Sequence, residues 1–176
     1  MKKSLMLLLF VTSAIFAKAQ LADSLKAQLI RDWERAKAYT KEYLDAMPAD
    51  KYSFKAQDSV RSFAEQMLHL AQGTVFLGSN GVKSPRMWVG RQLEKIESAK
   101  SPDSVKYFVM ASYDYAIEGV KNLDPATYLE VTGQGNFKNT RLAWIMKAFE
   151  HQTHHRGQTT IYIRRVGIKP PNERLF

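Results

Sequence analysis

The sequence predicts an all-α chain folded as a four-helix bundle. Three observations carry that expectation. Apolar residues recur at three- and four-residue spacing in four long segments, clusters of Gly and Pro separate those segments, and no convincing period-two alternation appears elsewhere.

The first helix is expected over about residues 21–47, where Leu25, Leu29, Trp33, Ala36 and Tyr43 or Leu44 share a stripe and Pro48 ends it. A polar connection, residues 49–57, leads to a second helix over about 59–77. Phe63, Met67, Leu70 and Thr74 make its apolar stripe, His69 sits near its middle, and Gly78-Ser79-Asn80-Gly81 reads as its breaker. Residues 84–99, with Met87, Trp88, Leu93 and Ile96, are expected to form a short extra helix or loop segment between helices two and three, covering one end of the bundle. Ser101-Pro102-Asp103 signals the third helix, a capping hydroxyl followed by Pro at the first position. Its stripe is Val105, Phe108, Val109, Tyr113, Ala116 and Val120, and Asp124-Pro125 closes it. Residues 126–138, with Gly133, Gly135 and the β-prone run Tyr128 to Val131, read as a loop or a brief extended piece. Asn139 or Thr140 caps the fourth helix, which runs to about Val166 and is ended by Gly167 and Pro170-Pro171. Trp33, Phe63, Trp88, Phe108 and Phe149 are expected to fill the core.

Residues 1–19 read as a secretory signal peptide: Lys2 and Lys3 open it, residues 5–16 are apolar but too short for a permanent anchor, and Ala17-Lys18-Ala19 has the form of a cleavage site. The expected product is an exported protein, periplasmic or secreted, with no membrane attachment after cleavage. The chain has no cysteine, which removes disulfides, thiol nucleophiles, thiolate ligands and a lipid-attachable cysteine together. Residues 20–176 suffice for one domain with a real core. The formal charge of +9 falls by three once Lys2, Lys3 and Lys18 leave with the leader. The remaining cations are spread along amphipathic helices, without the basic face and exposed aromatics of a nucleic-acid binder, so no nucleic-acid partner is expected.

The four histidines are the chemically informative residues: His69 alone, and His151, His154 and His155 together. Residues four apart on a helix stand nearly one above the other, about 6 Å along the axis, so His151 and His155 can aim at one ion. A third ligand must come from another helix, and His69 is the histidine that remains. Three neutral imidazoles suit a divalent metal ion such as zinc, nickel or iron, and leave a position open for water or substrate. His154 lies about 60° from His151 around the helix. It can replace His155 as a ligand, act from behind the ligands, or face solvent, and the non-ligand roles fit best.

The four-helix pattern, the single histidine within Ser62 to Ala71, and the pair His151 and His155 followed by Arg156-Gly157-Gln158 together resemble the DinB/YfiT-like superfamily of metal-binding bundles. The likeness spans residues 20–176. It implies a divalent metal held by His69, His151 and His155 with a vacant or water-filled position, and a homodimer. It also implies metal-dependent activity on a small-molecule substrate, either hydrolysis or transfer involving a low-molecular-weight thiol. The leader weighs against the thiol reading, because such thiols are kept reduced inside the cell.

Further roles are open to several residues. A hydrolase wants a base, and neither H-E-x-x-H nor E-x-x-H occurs. Glu65, one turn before His69, is a candidate to orient that imidazole or shuttle protons, and His154 is a second catalytic candidate. Arg156 is a candidate to hold an anionic substrate, with a surface or dimer contact as its plainer role. Gln158, Tyr162 and Trp144 are candidate pocket residues by helical phase, with core packing as the alternative. The expected function is thus an exported metal-dependent hydrolase or transferase. The alternative is a bundle that binds metal or a small ligand without catalysis.

Overall fold

The computed structural model describes the backbone of residues 2–176 and the side chains of residues 18–176. The four expected helices form: α1 (Lys2–Ala46), α2 (Phe63–Gly81), α3 (Pro102–Asn122) and α4 (Arg141–Arg165). A two-stranded hairpin, β1 (Val131–Gln134) and β2 (Phe137–Thr140), precedes α4. The signal-peptide expectation concerns residues 1–19, most of whose side chains lie outside the described residues. Among the described residues, no helix is long and apolar enough to cross a membrane.

α2 begins four residues later than the periodicity predicts, because Ser62 supplies its cap. The Ser62 hydroxyl accepts the Glu65 N–H at 3.2 Å, and Glu65 Oε2 accepts the Ser62 N–H at 2.8 Å. This reciprocal capping box satisfies two donors that the helix cannot. The run Gly78-Ser79-Asn80-Gly81, expected to break the helix, instead forms its last turn. A Cβ at Gly81 would lie 2.7 Å from Ile145 Cγ1 and 2.9 Å from the Arg141 carbonyl, so this glycine serves close passage of α4 over α2.

Residues 84–99 form no α-helix. Two short 3-10 turns at 93–95 and 97–99 are the regular structure in that connection. The expected extended piece after α3 is a full hairpin with Val131 opposite Thr140 and Gln134 opposite Phe137. Gly135-Asn136 forms the two-residue turn, with Gly135 at φ 55°. Thr140 ends β2 and also caps α4, accepting the Ala143 N–H at 3.2 Å.

α2 packs chiefly on α4 and α3, and α1 lies mainly against α3. Trp33, Phe63, Met67, Leu70 and Tyr113 are fully buried. Burial of each such side chain contributes roughly 1.5–3 kcal/mol. The Trp33 ring meets Tyr113 and Phe149 edge-on at 5.8 and 5.2 Å. Close packing of α2 on α4 places the middle of one helix against the middle of the other, where the histidines are.

Candidate metal centre

His69 projects from α2, and His151 and His155 from successive turns of α4. One ring nitrogen from each lies within 4.8 Å of those of the other two. Ring centroids are separated by 4.4 Å for His151 and His155, 4.6 Å for His69 and His155, and 5.4 Å for His69 and His151. Gly73, one turn beyond His69 on α2, leaves room for the His151 ring, which a Cβ at that position would overlap.

The surroundings favour neutral imidazoles. Burial, then the neighbouring His155 and His69, push His151 down to about 3. Burial and His69 push His155 down to about 4. His69 is lowered too, by burial and by the Arg61 guanidinium, with Glu94 opposing. An imidazole that stays unprotonated keeps a lone pair free for a cation. His151 Nδ1 is buried without a hydrogen-bond partner, a state that costs roughly 1–3 kcal/mol unless something else satisfies it. An orphaned ring nitrogen beside two further imidazoles fits a divalent metal.

The other two rings are held from behind. His155 Nδ1 lies 3.0 Å from Gln158 Oε1 and 2.8 Å from Gln66 Nε2, and the Gln66 amide also donates to Gln158 Oε1. Nδ1 either accepts from the Gln66 amide or donates its N–H to Gln158 Oε1, and in the second arrangement Nε2 is the free atom. His69 Nδ1 lies 3.5 Å from Glu94 Oε2, which accepts a 2.6 Å hydrogen bond from Arg61 Nε. A carboxylate behind a ligating histidine fixes its ring orientation. Glu94 stands in a 3-10 turn that Gln72 of α2 ties down. The Gln72 amide donates to the Arg91 carbonyl and its oxygen accepts the Leu93 N–H at 2.9 Å.

Neither Glu94 nor Gln66 is singled out by the sequence patterns. Gln66 sits three residues before His69, within reach of a spacing argument. Glu94 lies in a stretch without periodicity, and nothing local couples it to His69.

Glu65, the sequence candidate for orienting His69, is engaged elsewhere. One carboxylate oxygen closes the capping box, and the other meets Lys100 Nζ at 3.0 Å. Arg156 is buried and not on the surface, which corrects its plainer expected role. Its Nη1 lies 2.9 Å from Gln152 Oε1 and its guanidinium 4.5 Å over the Tyr39 ring. Trp144 is buried, as the packing alternative has it, and its Nε1 donates to the Thr132 carbonyl at 3.3 Å and so holds the hairpin. Trp88, expected in the core, is half-buried.

His154 is exposed beside His155, with ring centroids 4.8 Å apart. Gln158 and Tyr162 stand near the triad, and Tyr162 donates to the Arg61 carbonyl at 2.7 Å. All three border an open cavity of about 870 Å³ that also touches Arg61, Glu94 and His155. A second cleft of about 430 Å³ reaches His69 and His151 from the other side, and Glu94 borders both.

The sequence model of the DinB family matches residues 18–174. Among solved structures, a DinB-like protein from Bacillus cereus superposes with a TM-score of 0.69 at 17% identity, covering 83% of this chain and 95% of its own. A DinB-like protein from Bacillus subtilis gives a TM-score of 0.63 at 18% identity, covering 85% of this chain and 96% of its own. No curated protein matches significantly.

Proposed function

The chain belongs to the DinB family, and on that premise we propose that it is a metal-dependent enzyme, a hydrolase or transferase acting on a small molecule. The observation that carries the proposal is the approach of His69 to His151 and His155 across the α2–α4 contact. These three residues would hold the ion, which is a divalent metal of the zinc, nickel or iron kind. When bound, it would supply Lewis acidity to polarise a carbonyl or phosphoryl oxygen and acidify a nucleophilic water.

The residues around the triad perform the rest. Glu94, anchored by Arg61, keeps the His69 ring turned toward its partners and is the carboxylate in contact with the triad. Gln158, whose Oε1 can take the His155 Nδ1–H, would leave Nε2 of that ring to the ion. His154 stands exposed at the edge of the larger cavity.

Export and pairing into a homodimer belong to the same proposal. The apolar run and Ala17-Lys18-Ala19 support export, and the family match starts at residue 18, after that run.

Elemental analysis of protein purified without a metal column tests the site. About one equivalent of a divalent metal is expected in the wild type and none in the His69→Ala/His151→Ala double variant, and equal content in both would defeat the assignment. Metal-dependent turnover within a panel of ester, amide, phosphoester and thiol-transfer substrates supports the enzyme. Retained metal with no turnover on any of them returns the chain to a non-catalytic binding role.

A further inference from the structure

The cleft that reaches His69 and His151 is lined by different residues from the larger cavity on the other side of Glu94. Its walls are Phe76 and Leu77 from the end of α2, and Met87 and Trp88 from the connection to α3. A volume of about 430 Å³ lies in the range of small-molecule sites. Phe76 is 48% exposed, a large aromatic presented to an open space beside two imidazoles.

Two further features indicate what would fill it. Trp88 stands at φ 56°, a left-handed conformation that a bulky residue adopts only when its surroundings hold it there. Its ring rests edge-on against Phe108 at 5.4 Å, which supports one side of the indole. Arg86 places its guanidinium 4.8 Å over the Phe76 ring, and among the described residues it forms no ion pair. A stacked guanidinium keeps its N–H fork in the plane of the group, available to a carboxylate. The cleft therefore combines an aromatic wall, an Arg86 guanidinium outside any ion pair and a floor of imidazoles, with the Glu94 carboxylate at its edge held by Arg61.

We propose that this cleft selects the substrate, taking a small molecule with an aromatic body and an anionic carboxylate end. The body lies against Phe76 and Trp88, the carboxylate meets Arg86, and the reacting group is presented to His69 and His151. The inference rests on the proposed function, which it extends by naming the substrate class.

Titration of 3-phenylpropionate and its neutral analogue 3-phenylpropanol into full-length protein, followed by calorimetry and tryptophan fluorescence, provides the test. Saturable binding of 3-phenylpropionate is expected. Arg86→Gln should weaken it about tenfold and leave 3-phenylpropanol unchanged, whereas Phe76→Ala should weaken both. Both substituted side chains are exposed, and circular dichroism melts establish that each variant is folded. Absence of saturable 3-phenylpropionate binding overturns the proposal, as does affinity unaltered by either substitution. A carboxylate captured by the metal alone would ignore Arg86 and counts against it. Metal content measured on the same samples separates the two readings. Arg86-dependent binding in protein that takes up no metal defeats the proposed function and leaves the cleft, and metal uptake without 3-phenylpropionate binding defeats the cleft alone.

Discussion

The imidazole of His151 rests on the bare backbone of Gly73, occupying the space into which a side chain at that position would project. Ala in place of Gly favours a helix interior by about 1 kcal/mol, so propensity alone would make Gly73→Ala harmless. The structure gives a different expectation. The ring of His151 must move, and metal affinity should fall about tenfold or more while helicity by circular dichroism is kept. Metal binding equal to wild type would show that the ring does not need this space.

Glu94 and Arg61 act on the metal through His69. Glu94→Gln keeps the shape but removes the charge, and a fall in metal affinity of about 10–100-fold is expected from competition with a chromophoric chelator. The visible spectrum of the cobalt-substituted protein should shift as the His69 ring loosens, a change that a purely structural role for Glu94 would not produce.

Arg156 should affect stability and leave the metal alone. Arg156→Ala removes the hydrogen bond to Gln152 and the contact with the Tyr39 ring, both buried. A loss of about 2–4 kcal/mol in denaturant unfolding is expected, with metal content per folded molecule unchanged.

Glu65 makes the fold acid-sensitive. The Ser62 N–H, and then the Lys100 ammonium, hold its carboxyl below the usual carboxylate range despite partial burial. The folded protein thus binds this proton less tightly than the unfolded chain. Its stabilisation is present above about pH 4.5 and is lost as pH falls through the lowered folded value. Glu65→Gln should cost about 1 kcal/mol at pH 7, a difference that shrinks in urea melts as pH falls through the lowered folded value.

The helices and the triad were legible because their signals are local. The 3.6-residue period marks α1 to α4, and the i, i+4 pair on α4 together with one histidine on α2 names the three imidazoles. Elsewhere the residue types misled, for physical reasons. Gly78-Ser79-Asn80-Gly81 looks like a breaker, yet Gly81 answers the close passage of α4, a tertiary demand invisible along the chain. Arg156 looks like a surface cation, but its neighbours Thr40, Tyr113 and Gln152 form a buried polar cluster drawn from three helices. Glu94 and the cleft around Trp88 were out of reach, since both belong to an aperiodic connection whose path is set by Gln72.

That anchoring by Gln72 divides the labour between two kinds of polypeptide. The rigid helices carry the imidazoles, and an irregular strap fastened to α2 carries Arg86, Trp88 and Glu94. Such a strap can drift in sequence, or be exchanged for another of similar length, without unsettling the scaffold beneath it. A lineage built this way could acquire new specificities by altering roughly one short stretch of chain, so long as the carboxylate behind His69 is kept.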